Sequence, residues 1–260
     1  MQEPSVPTHQ SPPPTTSFRD WMEQLRQRSG NVPQWPWLLR TVLMAEFQRQ
    51  RALGFSYASD VFKRRDDEDP EEARSPEKKR VRTLFSNCLK QSQGVLTVDS
   101  DEYLLLGWEW PNQGRESMRR ADLVALNASG GLVVFECKLE SNSDDPVTAL
   151  LEGLDYLACL TSPSNFSKII DGYARWVAEP NRNLPARFRD VVPRVGSQHE
   201  VIVLAPAGYF EKFTRSRRGD GWQLLADLAP SEADVISMRF ARSEFDRVSA
   251  CWAVSSSASS

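Results

Sequence analysis

Arg119-Arg120-Ala121-Asp122-Leu123-Val124-Ala125-Leu126, Asn127-Ala128-Ser129-Gly130-Gly131 and Leu132-Val133-Val134-Phe135-Glu136-Cys137-Lys138-Leu139 follow one another in this 260-residue chain, and their reading decides the fold. Two short apolar runs flank a polar loop ending in two glycines, the pattern of a β-hairpin with a loop of about five residues. Pairing the runs about that loop sets Leu126 opposite Leu132, Val124 opposite Val134 and Asp122 opposite Glu136. Because side chains alternate across a strand, Asp122, Glu136 and Lys138 share one face and Cys137 points to the other. Apolar residues occupy both faces, so the sheet is expected to be covered on both sides.

Three charged groups at the end of a buried hairpin must each keep water, a partner or a metal. Two readings compete. One is structural: a Glu136/Lys138 ion pair with Asp122 nearby, or three charges at an exposed strand end. The other is a divalent-metal site beside an ammonium, since magnesium is typically held by one or two carboxylates with water and substrate phosphate completing its shell.

Outward from the hairpin, Ser75-Pro76 opens a predicted helix whose stripe is Val81, Leu84, Phe85, Cys88 and Leu89, with Glu77 in its first turn and Lys78, Lys79, Arg80 and Arg82 on its polar side. Tyr103–Trp110 reads as a strand, followed by the turn Pro111-Asn112-Gln113-Gly114. After the hairpin, Asp145 and Pro146 form a cap and first turn for a helix carrying Val147, Leu150, Leu151, Leu154 and Leu157/Ala158. Phe166, Ile169, Ile170, Tyr173 and Val177 mark another helix. Arginines 182, 187, 189 and 194 lie in an irregular proline-punctuated segment, where DNA contact and plain loop solvation are equally good readings. Val201–Pro206 is a strand buried on both faces, Arg215, Arg217 and Arg218 form a basic cluster, Trp222–Leu228 is helical and Asp234–Phe240 is a last strand.

Asp122 followed across the loop by Glu136-Cys137-Lys138 resembles the D...(D/E)xK signature of the PD-(D/E)XK nuclease superfamily. Arg120-Ala121-Asp122-Leu123 resembles the R-x-D-L form of its RecB-like and repair-type branches. Glu152-Gly153-Leu154-Asp155-Tyr156 resembles the superfamily's Q-x-x-x-Y element, with a glutamate where a glutamine is often found, and Ala121 replaces the leading proline. The resemblance runs from about Glu77 to about Phe240. It implies an α/β fold with a restriction endonuclease-like central mixed sheet flanked by helices, here with an N-terminal helical extension.

The same resemblance implies metal-dependent hydrolysis of nucleic acid, DNA in the first instance. Asp122 and Glu136 would hold Mg²⁺ or Mn²⁺, with the Cys137 carbonyl as a further ligand. Lys138 would orient or help deprotonate the attacking water and offset phosphate charge. Glu77 matches a further acidic ligand, although a helix-dipole contact explains it equally well. Arg120 would contact a neighbouring phosphate. The alternative is a nuclease-fold protein that binds nucleic acid or a protein partner without cutting.

The remaining chain divides into a Pro/Ser/Thr/Gln-rich tail at 1–17, a helical extension at 18–62, a mixed-charge linker at 63–75, the nuclease-like domain at 76–250 and a serine-rich tail at 251–260. Phe18, Trp21, Met22 and Leu25 mark one amphipathic helix of the extension, and Pro36 toward Leu53 a second. Its Trp35-Pro36-Trp37 keeps a protein-partner role open beside simple packing. A net charge of -3 puts any basic footprint in local patches. Mean hydropathy of -0.48 and the lack of a long apolar run predict no membrane span, and Met1-Gln2-Glu3-Pro4 does not start an export signal; a soluble cytoplasmic protein is expected. Four dispersed cysteines suggest neither zinc nor disulfides, and two histidines, His9 and His199, leave no basis for histidine-dependent hydrolase chemistry.

Overall fold

The computed structural model describes residues 47–48, 51–52, 75–111, 120–180, 183–214 and 236–242. The tail, most of the N-terminal extension, the charged linker, the 215–218 basic cluster, the 222–228 helix and the C-terminal tail lie outside the described residues. Of the second N-terminal helix, residues 47, 48, 51 and 52 are helical. Phe47 is fully buried in the main core, and Arg51 Nε donates to the Thr161 carbonyl at 2.8 Å.

Helix α1 spans Pro76–Ser92. Ser75 caps it by accepting from the Lys78 amide, Pro76 occupies the first turn, and Gln93 ends it in the left-handed region at φ 55. Of its predicted stripe, Val81, Leu84, Phe85 and Cys88 are buried and Leu89 is partly buried against the same cluster. Strand β1, Val95–Val98, then turns tightly through Asp99 at φ 58 into β2, Asp101–Pro111. The sequence reading omitted β1: four residues are too few to show a period, and the turn lacks the glycine that would announce it.

Strands β3, Arg120–Leu126, and β4, Leu132–Cys137, form the expected hairpin in the expected register, from Leu126 opposite Leu132 to Leu123 opposite Phe135. Asn127 organises the loop, its Oδ1 accepting from the amides of Ser129 and Gly131. Helices α2, Pro146–Leu160, and α3, Pro163–Val177, carry the chain over to β5, His199–Ala205, which runs parallel to β4. A short helix α4, Ala207–Thr214, also absent from the sequence reading, leads on toward β6, Ile236–Arg242, parallel to β5.

The six strands lie in chain order in one mixed sheet, antiparallel through β4 and parallel beyond it. Alternation along β3 and β4 divides the core. Val124, Leu126, Leu132 and Val134 face α2 and α3, whereas Leu123, Ala125, Val133, Phe135 and Cys137 face α1. The α/β class and two-sided covering follow the sequence. On α3 two positions depart from it: Ile170 is 38% exposed and Val177 only partly buried, while Trp176 is buried alongside Phe166, Ile169 and Tyr173.

The sheet also curls. Arg239 on β6, at one end of the strand order, bonds Asp99 and Asp101 at the β1–β2 turn at the other, at 2.8 and 2.6 Å, and donates to the Tyr103 hydroxyl at 2.7 Å. Among the described residues no helix is long and apolar enough to cross a membrane.

Candidate active site

Glu136 lies on the α2 side of the sheet, where its Cγ meets Gly153, and Asp122 lies on the neighbouring strand near the end where β3 begins and β4 stops. Asp122 Oδ2 accepts from the Cys137 amide at 2.8 Å, which fixes the carboxylate against the neighbouring strand. Glu136 is 3% exposed, and its Oε1 is buried with no hydrogen-bond partner. Its other oxygen stands 3.6 Å from Lys138 Nζ.

Lys138 is equally buried, and its ammonium lies closer to Glu152 Oε2, at 3.0 Å. Glu152 comes from α2, a helix apolar almost all round, in which it and Thr148 are the two residues that are not buried. Gly153 beside it allows that helix to lie close: a Cβ there would stand 2.4 Å from Val201 Cγ1 and 3.3 Å from Glu136 Cγ.

Glu77, in the first turn of α1, completes the group. Its Oε2 accepts from Asn142 Nδ2, while Asn142 Oδ1 accepts from the Leu139 amide, so the residues just after β4 tether it toward the site. The Glu77 charge is felt at Asp122, Glu136 and Lys138. The sequence places Glu77 beside the hairpin only through the resemblance; the structure does so by geometry.

Four carboxylates therefore surround one ammonium. Burial pushes Asp122 up to about 7, helped by the charges of Glu77 and Glu152 and opposed by Lys138 and the Cys137 amide. Glu136 is held well above the usual carboxylate range, first by burial and then by Asp122. Burial disfavours the Lys138 ammonium, but Glu136, Glu152, Asp122 and Glu77 outweigh it and keep the group protonated.

Comparison with known proteins returned no matching family model, no matching curated protein and no matching solved structure.

The donor set suits a hard divalent cation. It offers carboxylate oxygen, an orphaned buried Oε1 and an excess of negative charge, and contains neither thiolate nor imidazole. Among the described residues no three His, Cys, Asp or Glu side chains form a ready-made cage.

Glu136 and Lys138 stand 3.6 Å apart, as the alternation predicts, and Asp122 is tied to them by its bond to the Cys137 amide and by the charge it exerts on both. Arg120 does not face them: its Nη1 pairs with Glu109 at 3.1 Å. Sequence reasoning missed the part of Glu152, which was noted only as a departure from glutamine. Its place on α2, as one of two acids in an otherwise apolar helix and the one that is not buried, was the available signal.

Proposed function

We propose that this chain is a metal-dependent nuclease that hydrolyses phosphodiester bonds of nucleic acid, DNA being the first substrate to test. The observation that carries the reading is the buried, unpartnered Glu136 Oε1 within a group of four carboxylates and a single ammonium. A purely structural Glu136/Lys138 pair would leave that oxygen unsatisfied, which is costly away from water.

Asp122 and Glu136 would hold Mg²⁺ or Mn²⁺. Such an ion, when bound, supplies Lewis acidity to a water and to the phosphate. The Cys137 amide orients Asp122, leaving Oδ1 as the oxygen for a ligand. Lys138, kept protonated by its acidic neighbours, is suited to donate to a phosphate oxygen and offset its growing charge, not to take a proton from water. Glu77 lies close enough to act on the same centre through its charge.

The alternative, a nuclease-fold protein that binds without cutting, is favoured by one observation: Lys138 already has a carboxylate partner in Glu152. Incubating labelled DNA with the full chain and Mg²⁺ or Mn²⁺ separates the two. The nuclease reading expects cleavage that EDTA stops and that Asp122→Asn or Glu136→Gln reduces by about a hundredfold or more. Wild-type rates in either variant would remove these residues from the chemistry.

A further inference from the structure

Chain positions next to those of the acidic group carry a basic one, in which the resemblance gives a phosphate role to Arg120 and none to Lys78 or Arg82. Lys78 and Arg82 of α1 and Arg120 of β3 gather round the Glu109 carboxylate of β2, at 3.4, 3.8 and 3.1 Å. Glu109 is 4% exposed, and its backbone sits at φ 45. A residue with a Cβ occupies that region only where its surroundings hold it there, and such strain concentrates at binding and catalytic sites. Arg82 also lies over the Trp108 ring, 4.2 Å from its centroid, which holds the guanidinium in place.

Three cations held together repel one another, and Glu109 acts as the buried post on which they are mounted. The side chains of Lys78 and Arg120 reach solvent, at 47% and 32% exposed. Their placement follows the acidic site element by element: Lys78 follows Glu77 on α1, and Arg120 precedes Asp122 by two residues on β3. Two residues along a strand cover about 7 Å, a step comparable to that between neighbouring phosphates of an extended polynucleotide.

We propose that Lys78, Arg82 and Arg120, mounted on Glu109, bind the phosphate next to the one at Asp122 and Glu136, so that the ligand is a polynucleotide strand and not a mononucleotide or small phosphodiester. This rests on the nuclease reading and extends it to substrate length. A cationic site mounted on a buried acid engages phosphate through charge, so its contribution to binding falls with salt.

The test is fluorescence anisotropy of a labelled oligodeoxythymidylate with the full chain, calcium replacing magnesium, over a range of salt. The slope of log affinity against log salt should become shallower by about 0.7 in Lys78→Ala and again in Arg120→Ala, while Lys78→Arg keeps the wild-type slope. Lys78 is exposed enough for its variants to fold, so Lys78→Ala decides the matter even if Arg120→Ala does not. Wild-type binding with unchanged slopes in the alanine variants overturns the subsite and leaves the nuclease reading standing. Failure of the wild type to bind the oligonucleotide overturns both. Displacement by polyglutamate as effective as by unlabelled DNA would make the ligand an acidic polypeptide, and the proposal falls.

Discussion

Lys138 stands closer to Glu152 than to Glu136, with its ammonium 3.0 Å from one carboxylate and 3.6 Å from the other. A lysine two residues after an acid on the same face would ordinarily neutralise that acid. Glu152 draws it aside, and Glu136 keeps one oxygen without a partner. With glutamine at 152, Lys138 has Glu136 as its strongest attraction and competes with a cation for it. Glu152→Gln should weaken Mn²⁺ binding by about tenfold or more, the loss usual when a residue that holds a metal ligand's neighbour in place is changed. In a Lys138→Met background the same change should cost much less, because the competitor is gone; calorimetry of the double-mutant cycle would show additive losses if Glu152 acted independently of Lys138.

Glu136 is costly to the empty fold. A buried carboxylate among other acids opposes folding, and its neutral isostere relieves both desolvation and repulsion. Glu136→Gln should therefore raise the melting temperature in EDTA, by roughly 2–4 °C for a gain of about 1 kcal/mol in a chain of this size. With Mg²⁺ present the order should reverse or close, since the wild type then gains binding energy that the variant lacks. A variant less stable than wild type in EDTA would mean that the glutamate is held by favourable contacts instead.

His199 predicts a response to acid. It is fully buried at the start of β5, and its Nδ1 accepts from the Leu132 amide at 3.0 Å, so the neutral ring is the form that fits. Burial, with the Arg51 charge, pushes it down to about 4. Between that value and the ordinary histidine range the unfolded chain binds a proton that the folded one does not. Its contribution is thus complete above about pH 6.5 and lost as pH falls toward 4, a swing of about 3 kcal/mol. His199→Asn keeps an acceptor and cannot titrate. The stability gap between the two proteins, followed by denaturant unfolding, should shrink across that window; a constant gap would show that the histidine charges without penalty.

Arg239 ties β6 to the β1–β2 turn through Asp99, Asp101 and Tyr103, and its side chain is 25% exposed. Arg239→Ala removes the hydrogen bonds and leaves Asp99, itself 15% exposed, without its cation. A loss of about 1–3 kcal/mol is expected, with hydrogen exchange quickening in β6 and the β1–β2 turn and not in β3 or β4. Unchanged exchange at both places would show that the curl persists without this link.

How much could be read in advance depended on how local each signal was. The β3–β4 register was legible because the loop is short and both flanks are apolar, and alternation then fixed the face on which Asp122 and Glu136 lie. Helix α2 was legible from Asp145 and Pro146, whose capping chemistry is contained within a few residues. Strand β1 and helix α4 are short and take their form from packing against neighbours, which leaves little period to detect. The partners of Arg120 and Lys138 depend on side chains 11 and 14 residues away in sequence. Spacing alone cannot choose Glu109 for the one or Glu152 for the other.

The most direct measurement is calorimetric titration of the metal-free full chain with Mn²⁺, beside Asp122→Ala and Glu136→Gln. The site described here predicts saturable binding by the wild type that is lost in both variants while their circular dichroism is unchanged. Binding that persists in both folded variants, or a wild type that takes up no Mn²⁺ or Mg²⁺, would contradict it.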